Sequence, residues 1–281
     1  MMTRLKRSAA LSSWLLFSIA VLAHLGTAVL AVAEYARLGW LFGTSFDLAA
    51  VTLVLASALA GLGASAWVAA RAYSGSLQLR RLIRSGHRPC PAAVRDAAAA
   101  LRLAGQVDVA DSGEAFAVTY GLLRPRILVS AGLAVSLSPA ELSAVLAHER
   151  CHLRHRDPLR LLAARLLAGY SFYLPVTRWL EDRLALRLEL AADADAVASV
   201  GRGAIAGALL KLTDVPPCPA MAAASRRGSL EARVAQLEGG HPARPRLAGG
   251  WVAASACNLA VLMVAGACCV GLSQALPGGV V

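Results

Sequence analysis

The sequence predicts an α+β protein held in a membrane by about three transmembrane helices, with one mostly helical domain between the second helix and the third. Three observations carry that prediction. A hydrophobic content of 57% and a mean hydropathy of +0.58 exceed those of an ordinary soluble domain. Three apolar runs, about 11–32, 48–70 and 251–272, each reach the roughly 20 residues that cross a bilayer. Between the last two lie short β-branched runs followed by long stretches of helical spacing.

In chain order, residues 1–70 read as two transmembrane helices. Ala31-Val32-Ala33 is an A-x-A pattern, but the preceding apolar run is longer than a signal-peptide core, so the segment reads as a retained span. Arg4, Lys6 and Arg7 precede the first run, Arg71, Arg80, Arg81, Arg84 and Arg88 follow the second, and Arg244 and Arg246 precede the third. By the positive-inside rule the central domain is then cytoplasmic, and the protein a multi-pass cell-membrane protein. Residues 71–91 form a basic juxtamembrane linker, 92–240 the domain, and 251–273 the closing helix. Strands are expected at 106–109, 115–120 and 126–130, the last two as a hairpin through 121–125 whose edge can add a substrate strand. Ser138-Pro139-Ala140-Glu141 reads as a helix start with a capping box. The apolar run 159–180 contains Arg160 and Arg165, so it reads as an interfacial or core helix rather than a fourth span.

The formal net charge of +11 does not point to nucleic acid, because the arginines are scattered and gather at the membrane flanks. They suit an inside-facing surface near anionic lipid. Six cysteines, at 90, 151, 218, 257, 268 and 269, show no CxxC spacing and no paired framework. Cys151 reads as a small packing residue. His24 and Glu34, in and just after the first run, read as structural.

The chemistry concentrates in His148-Glu149-Arg150-Cys151-His152, an HExxH sequence inside the helix that Ser138 starts. On a helix, residues four apart lie one above the other, so both imidazoles reach one tetrahedral ion while Glu149 reaches its water. By chance the pattern arises in roughly one such chain in a few hundred, and the mid-helix context lowers that further. Catalytic zinc usually takes three protein ligands. His155 lies two helical turns from His148, about 10 Å away and too far to share an ion. Glu189 is the better third ligand, on a second helix that also presents Asp193 at i+4 to accept the other ring N–H of a ligating histidine. The expected centre is one Zn²⁺ per chain on His148, His152 and Glu189, with Glu149 as general base, while Asp157 reads as anchoring the helix end through arginine contacts rather than joining the chemistry.

The run from His148 to Asp157, the apolar stretch to Tyr173-Leu174-Pro175-Val176-Thr177-Arg178-Trp179, and Arg187-Leu188-Glu189-Leu190-Ala191-Ala192-Asp193 together resemble the BlaR/MecR-type membrane metallopeptidases. More broadly they are similar to the HtpX-type and CaaX prenyl endopeptidases. Gly121-Leu122-Leu123-Arg124-Pro125-Arg126-Ile127-Leu128-Val129-Ser130 is similar to the family's strand region, and Leu230-Glu231-Ala232-Arg233-Val234 to its late helix. The resemblance covers roughly residues 90–240. It implies a gluzincin-like metalloprotease domain and a regulatory protease acting on a BlaI/MecI-type winged-helix repressor, without direct nucleic acid binding. It also implies an oxyanion or substrate contact for Arg233, against the plainer reading of a surface arginine paired with Glu231 or a lipid headgroup. Arg150-Cys151 is more polar than the apolar pair common at those positions. No penicillin-binding sensor domain follows the last run, so covalent β-lactam sensing is not expected. The alternatives are an HtpX-like quality-control protease and a non-catalytic zinc-containing signalling scaffold, against which the intact Glu149 argues.

Overall fold

The computed structural model describes residues 22, 26, 29, 45–85, 90–213, 227–240 and 247–274. The expected first span, with His24 and Glu34, lies outside them apart from those three isolated positions. So do Cys218 and the linker 241–246.

The described chain forms α1 (Ser45–Ser85), α2 (Ala92–Ala100), β1 (Val107–Ala110), β2 (Ala117–Tyr120), β3 (Arg126–Ser130), α3 (Ala131–Ser136), α4 (Pro139–His155), α5 (Asp157–Tyr170), α6 (Pro175–Val200), α7 (Arg202–Thr213), α8 (Arg227–Leu237) and α9 (Gly249–Gln274). Its contacts gather into two compact units. One comprises 1–68, 164–180 and 247–281; the other comprises 69–163 and 181–246.

Two helical stretches, Ala49–Arg81 and Gly249–Ala267, are long and apolar enough to cross a membrane. Their outward faces are apolar, with Leu59, Leu62 and Trp67 exposed on α1 and Trp251, Val261 and Met263 on α9. Exposed side chains of that size suit lipid, not water. Small residues close the unit's own core, where Ala50, Val54 and Ala58 pack with Ala265. Residues 159–180 do not make one continuous helix: α5 ends at Tyr170 and α6 starts at Pro175, with a turn between.

The second unit holds the three-stranded sheet, ordered β1-β3-β2, with β1 parallel and β2 antiparallel to β3. The expected hairpin is present, with strand limits shifted by one or two residues. Ile127 and Val129 of β3 point into a core with Val94, Leu133, Leu142 and Leu146. Leu128, alternating to the other face, packs with Leu79, Ala110 and Phe116. One cross-strand ion pair ties all three strands: Arg126 grips Asp108 at 2.6 and 2.7 Å, and the Tyr120 hydroxyl donates to the same carboxylate. The Arg126 bond, against the opposing effect of burial, holds the Asp108 carboxyl below its usual range.

α4 begins as its sequence dictates. Ser138 Oγ accepts from Glu141 N at 3.4 Å, Glu141 Oε2 accepts from Ser138 N at 2.8 Å, and Pro139 occupies the first turn. Glu141 also bonds Lys211 of α7 at 2.7 Å. α7 comes this close because position 207 is glycine, where a Cβ would stand 2.6 Å from Glu141 Oε1. Leu142, Leu146 and Ala147 then bury the core face of α4, which makes the helix a fixed platform for the residues that follow.

Candidate metal centre

His148 and His152 lie one turn apart on the buried face of α4, and Glu189 comes from the middle of α6. The His148 and His152 Nε2 atoms are 3.1 Å apart. Glu189 places Oε2 3.6 Å from the first and Oε1 3.7 Å from the second. Four ligands tetrahedrally arranged about zinc at roughly 2.0–2.1 Å stand about 3.4 Å from one another, so the spacing suits such an ion. The donor chemistry fits as well. Both histidines direct Nδ1 at a carboxylate, His148 at Asp193 Oδ1 and His152 at Asp157 Oδ2, each at 2.9 Å. A carboxylate at each Nδ1 holds a ring proton there and aims both Nε2 atoms at one place, the donor set of a metal centre in which the ion would displace the second proton of His148. Among the described residues this is the one group of three or more such side chains spaced to hold a metal.

His155 stands apart, exposed, with Nδ1 turned back to Cys151 O at 2.9 Å.

Asp157 requires a correction. The sequence suggests that it anchors the helix end through arginine and takes no part in the site. It does bond Arg160 at 2.8 Å, but its other oxygen holds His152. Five residues on in an unbroken helix, that side chain would point well away from His152. Arg156 breaks the helix with a left-handed φ of 52°, and α5 starts in a new direction that returns Asp157 to the imidazole.

Arg233 is the second correction. Among the described residues its partners are two carboxylates of α6 rather than Glu231. Its Nε and Nη2 donate to Asp193 at 2.7 and 2.8 Å, and Nη1 lies 3.3 Å from Glu189 Oε2. Its other expected role, a contact to oxyanion or substrate, has to compete with these bonds for the same guanidinium. Gln236, one turn on, bonds Leu190 O at 2.8 Å and fixes α8 against α6. The guanidinium therefore orients two carboxylates, one against a ligand and one a candidate ligand itself. Burial disfavours charge on both, but His148 and Arg233 outweigh it and hold Glu189 and Asp193 at about 2. Burial lowers the His148 pKa while Asp193 and Glu189 raise it more, for a net value of about 9 without metal.

Thr119 is the residue that sequence reasoning missed. From β2 its hydroxyl bonds Glu149 Oε2 at 2.7 Å, with Glu149 O as an alternative acceptor at 3.0 Å. A threonine in a β-branched strand looks ordinary; only the packing of β2 on α4 reveals the bond. Arg150 also finds a use within the fold, bonding Asp195 at 3.0 Å and Ser199 at 2.7 Å and so tying α4 to α6. Cys151 is buried, and its thiol is pushed up to about 11 by burial and then by Asp195 and Asp157, which keeps it an unreactive packing group.

A family model described as BlaR1 peptidase M56 matches residues 79–237, more than half of the chain. The chain belongs to the M56 peptidase family. The match takes in the sheet, α4, α5, α6 and α8, which supply every residue of the centre. The M56 chain is also similar to three curated HtpX proteases over a short stretch. It is 43% identical to protease HtpX homolog 2 of Methanosarcina mazei over 60 residues, 21% of this chain and 20% of that protein. It is 43% identical to the HtpX homolog of Thermoplasma acidophilum over 67 residues, 24% and 21% of the two chains. With the HtpX homolog of Acidiphilium cryptum the figures are 42% over 59 residues and 21% of each. The M56 chain thus spans about a fifth of the length of these relatives. The chain thus carries the domain of a peptidase family together with two helices long and apolar enough to cross a membrane.

Proposed function

We propose that this M56 peptidase is a zinc-dependent metalloendopeptidase anchored in the cell membrane by three spans, with its catalytic domain on the cytoplasmic side. The observation that carries the reading is the convergence of His148, His152 and the Glu189 carboxylate, with ligand atoms within 4.8 Å of one another, beside a glutamate that is itself held in place. Bound there, Zn²⁺ would polarise a scissile carbonyl and acidify a water. His148, His152 and Glu189 hold the ion; Asp193 and Asp157 fix the two imidazoles; Arg233 fixes Asp193 and Glu189. Glu149 takes the proton from the attacking water and hands it to the leaving amine, and Thr119 keeps its carboxylate from swinging away.

The open edge of β2 suits an extended peptide. Ser130 N bonds Phe116 O, so by antiparallel alternation Val118 and Tyr120 also pair inward, and Ala117 and Thr119 turn their N–H and C=O outward. A substrate strand docking there would meet the residue that positions the base.

We take the substrate to be a winged-helix repressor of the BlaI/MecI type. The arginines flanking the spans support a cytoplasmic domain that such a repressor can reach, and membership of the M56 family supports regulated cleavage. The HtpX stretch favours a second reading, turnover of damaged membrane proteins. The Thr119–Glu149 bond weighs against a mere zinc scaffold, since a structural site has no use for a positioned base.

Glu149→Gln decides between enzyme and scaffold. The variant should keep about one zinc per chain and lose at least about a hundredfold in peptide cleavage. Cleavage at the parent rate would refute the mechanism. Proteins accumulating in cells that carry the variant separate the two enzymatic readings: one repressor for regulation, many membrane proteins for quality control.

A further inference from the structure

Residues 164–180 pack with the two apolar helices rather than with the sheet-bearing unit. On α1, Gly61 lies so close to the end of α5 that a Cβ would sit 2.5 Å from Tyr170 O, and a Cβ at Gly169 would meet Ala64 and Val68 at 3.4–3.5 Å. Ser65 Oγ donates to Leu166 O at 3.0 Å. On α9, Asn258 Nδ2 donates to Tyr173 O at 2.6 Å and Ser255 Oγ accepts from Val176 N at 3.2 Å. Within the turn, Thr177 Oγ1 caps Leu174 O at 2.7 Å and Ser171 Oγ caps Leu167 O at 2.6 Å.

We propose that residues 164–180 form a re-entrant helical hairpin that enters the hydrocarbon core of the bilayer from the side of the catalytic domain and returns without crossing. Depth is the first argument. Gly61 precedes Arg71 by ten residues, about 15 Å of helix, which is half of a hydrocarbon layer about 30 Å thick. Ser255 and Asn258 lie six and nine residues past Gly249, at about 9 and 14 Å. The two helices give similar depths for the turn, each counted from its arginine-flanked end.

Polar satisfaction is the second. Backbone that leaves helical geometry in hydrocarbon is tolerated only where protein groups pair it. Ser65, Ser255 and Asn258 are polar residues within apolar spans, a costly placement in lipid unless they bond, and all three bond this segment. Phe172, the exposed residue at the tip, is 45% accessible and apolar, as a lipid contact should be. Arg165 is half-buried and engaged within the protein. Arg178, one turn past the tip, has a stem long enough to carry its charge toward the headgroups. A returning hairpin also leaves His152 and Glu189 on one side, which a full crossing would not.

The test uses the full chain in lipid vesicles, with its six cysteines replaced and one spin label at Phe172→Cys. The label should collide with dissolved oxygen and lose contact with a water-soluble nickel chelate, as at Leu62→Cys, whereas Arg202→Cys stays open to the chelate. Arg187→Cys should react with an impermeant maleimide from the same side as Arg202→Cys. Chelate access at 172 equal to that at 202 overturns the proposal, and labelling of 187 from the opposite side makes the segment a true span and overturns it too. Amide exchange on the unsubstituted protein provides a check free of cysteine replacement. Phe172 and Tyr173 should exchange as slowly as residues 58–68, and exchange at the rate of a solvated turn would refute the hairpin.

Discussion

Thr119 has one hydroxyl proton and two acceptors for it, both on Glu149. A hydrogen bond to a charged acceptor contributes about 1.5–3 kcal/mol, so Thr119→Val should lower kcat roughly ten- to a hundredfold. KM and zinc content should hardly change, and Thr119→Ser should restore most of the rate. A valine variant as fast as the parent would mean that Glu149 needs no tether. His148 yields a prediction with a definite sign. Its folded pKa without metal, about 9, lies above the ordinary 6.5. A raised pKa stabilises the fold fully below pH 6.5, and that contribution is lost as pH climbs to about 9. Metal-stripped protein should therefore show a falling Tm across this window, while metal affinity rises because the same proton competes for the ligand. A Tm independent of pH between 6.5 and 9 would contradict the Asp193–His148–Glu189 arrangement.

At the scale of elements, α4 is fixed at both ends by local chemistry. Its start rests on the Ser138–Glu141 box and its end on the left-handed Arg156, which sends Asp157 back to His152. Ser138→Ala should cost about 1 kcal/mol and lower Tm by about 2–4 °C, with Ser138→Asp restoring most of it. No loss of Tm would show that tertiary packing alone sets the start of α4. The box, the HExxH spacing and the Glu189/Asp193 pair were legible because each lies within one helix, where distance follows from residue number. Asp157 was misread for the converse reason: one residue in a left-handed conformation undoes that arithmetic.

Over the whole molecule, the basic clusters predict a cytoplasmic catalytic domain between the second and third spans. Exported alkaline phosphatase fused after Val281 should be active and fused at Gly240 inactive, with a cytoplasmic fluorescent reporter giving the opposite pattern. Phosphatase activity at Gly240 would place the His148–His152–Glu189 site outside and exclude a cytoplasmic repressor as direct substrate. The run 159–180 shows how composition alone fails at this scale. Two arginines argue against an ordinary span, yet nothing in the residues themselves located the break at 171–174 or its bonds to Ser65, Ser255 and Asn258.

The sequence by itself determined which residues can hold a metal, where the HExxH helix starts, which strands pair as a hairpin and which helices are apolar enough for a membrane. All of these depend on neighbours within a few residues or on composition. Only the tertiary structure decided that Thr119 holds Glu149, that Arg233 serves Asp193 and Glu189 rather than Glu231, and that Asp157 turns back onto His152. Those contacts bring together elements whose separation along the chain carries no information about distance, and packing, not periodicity, puts them side by side.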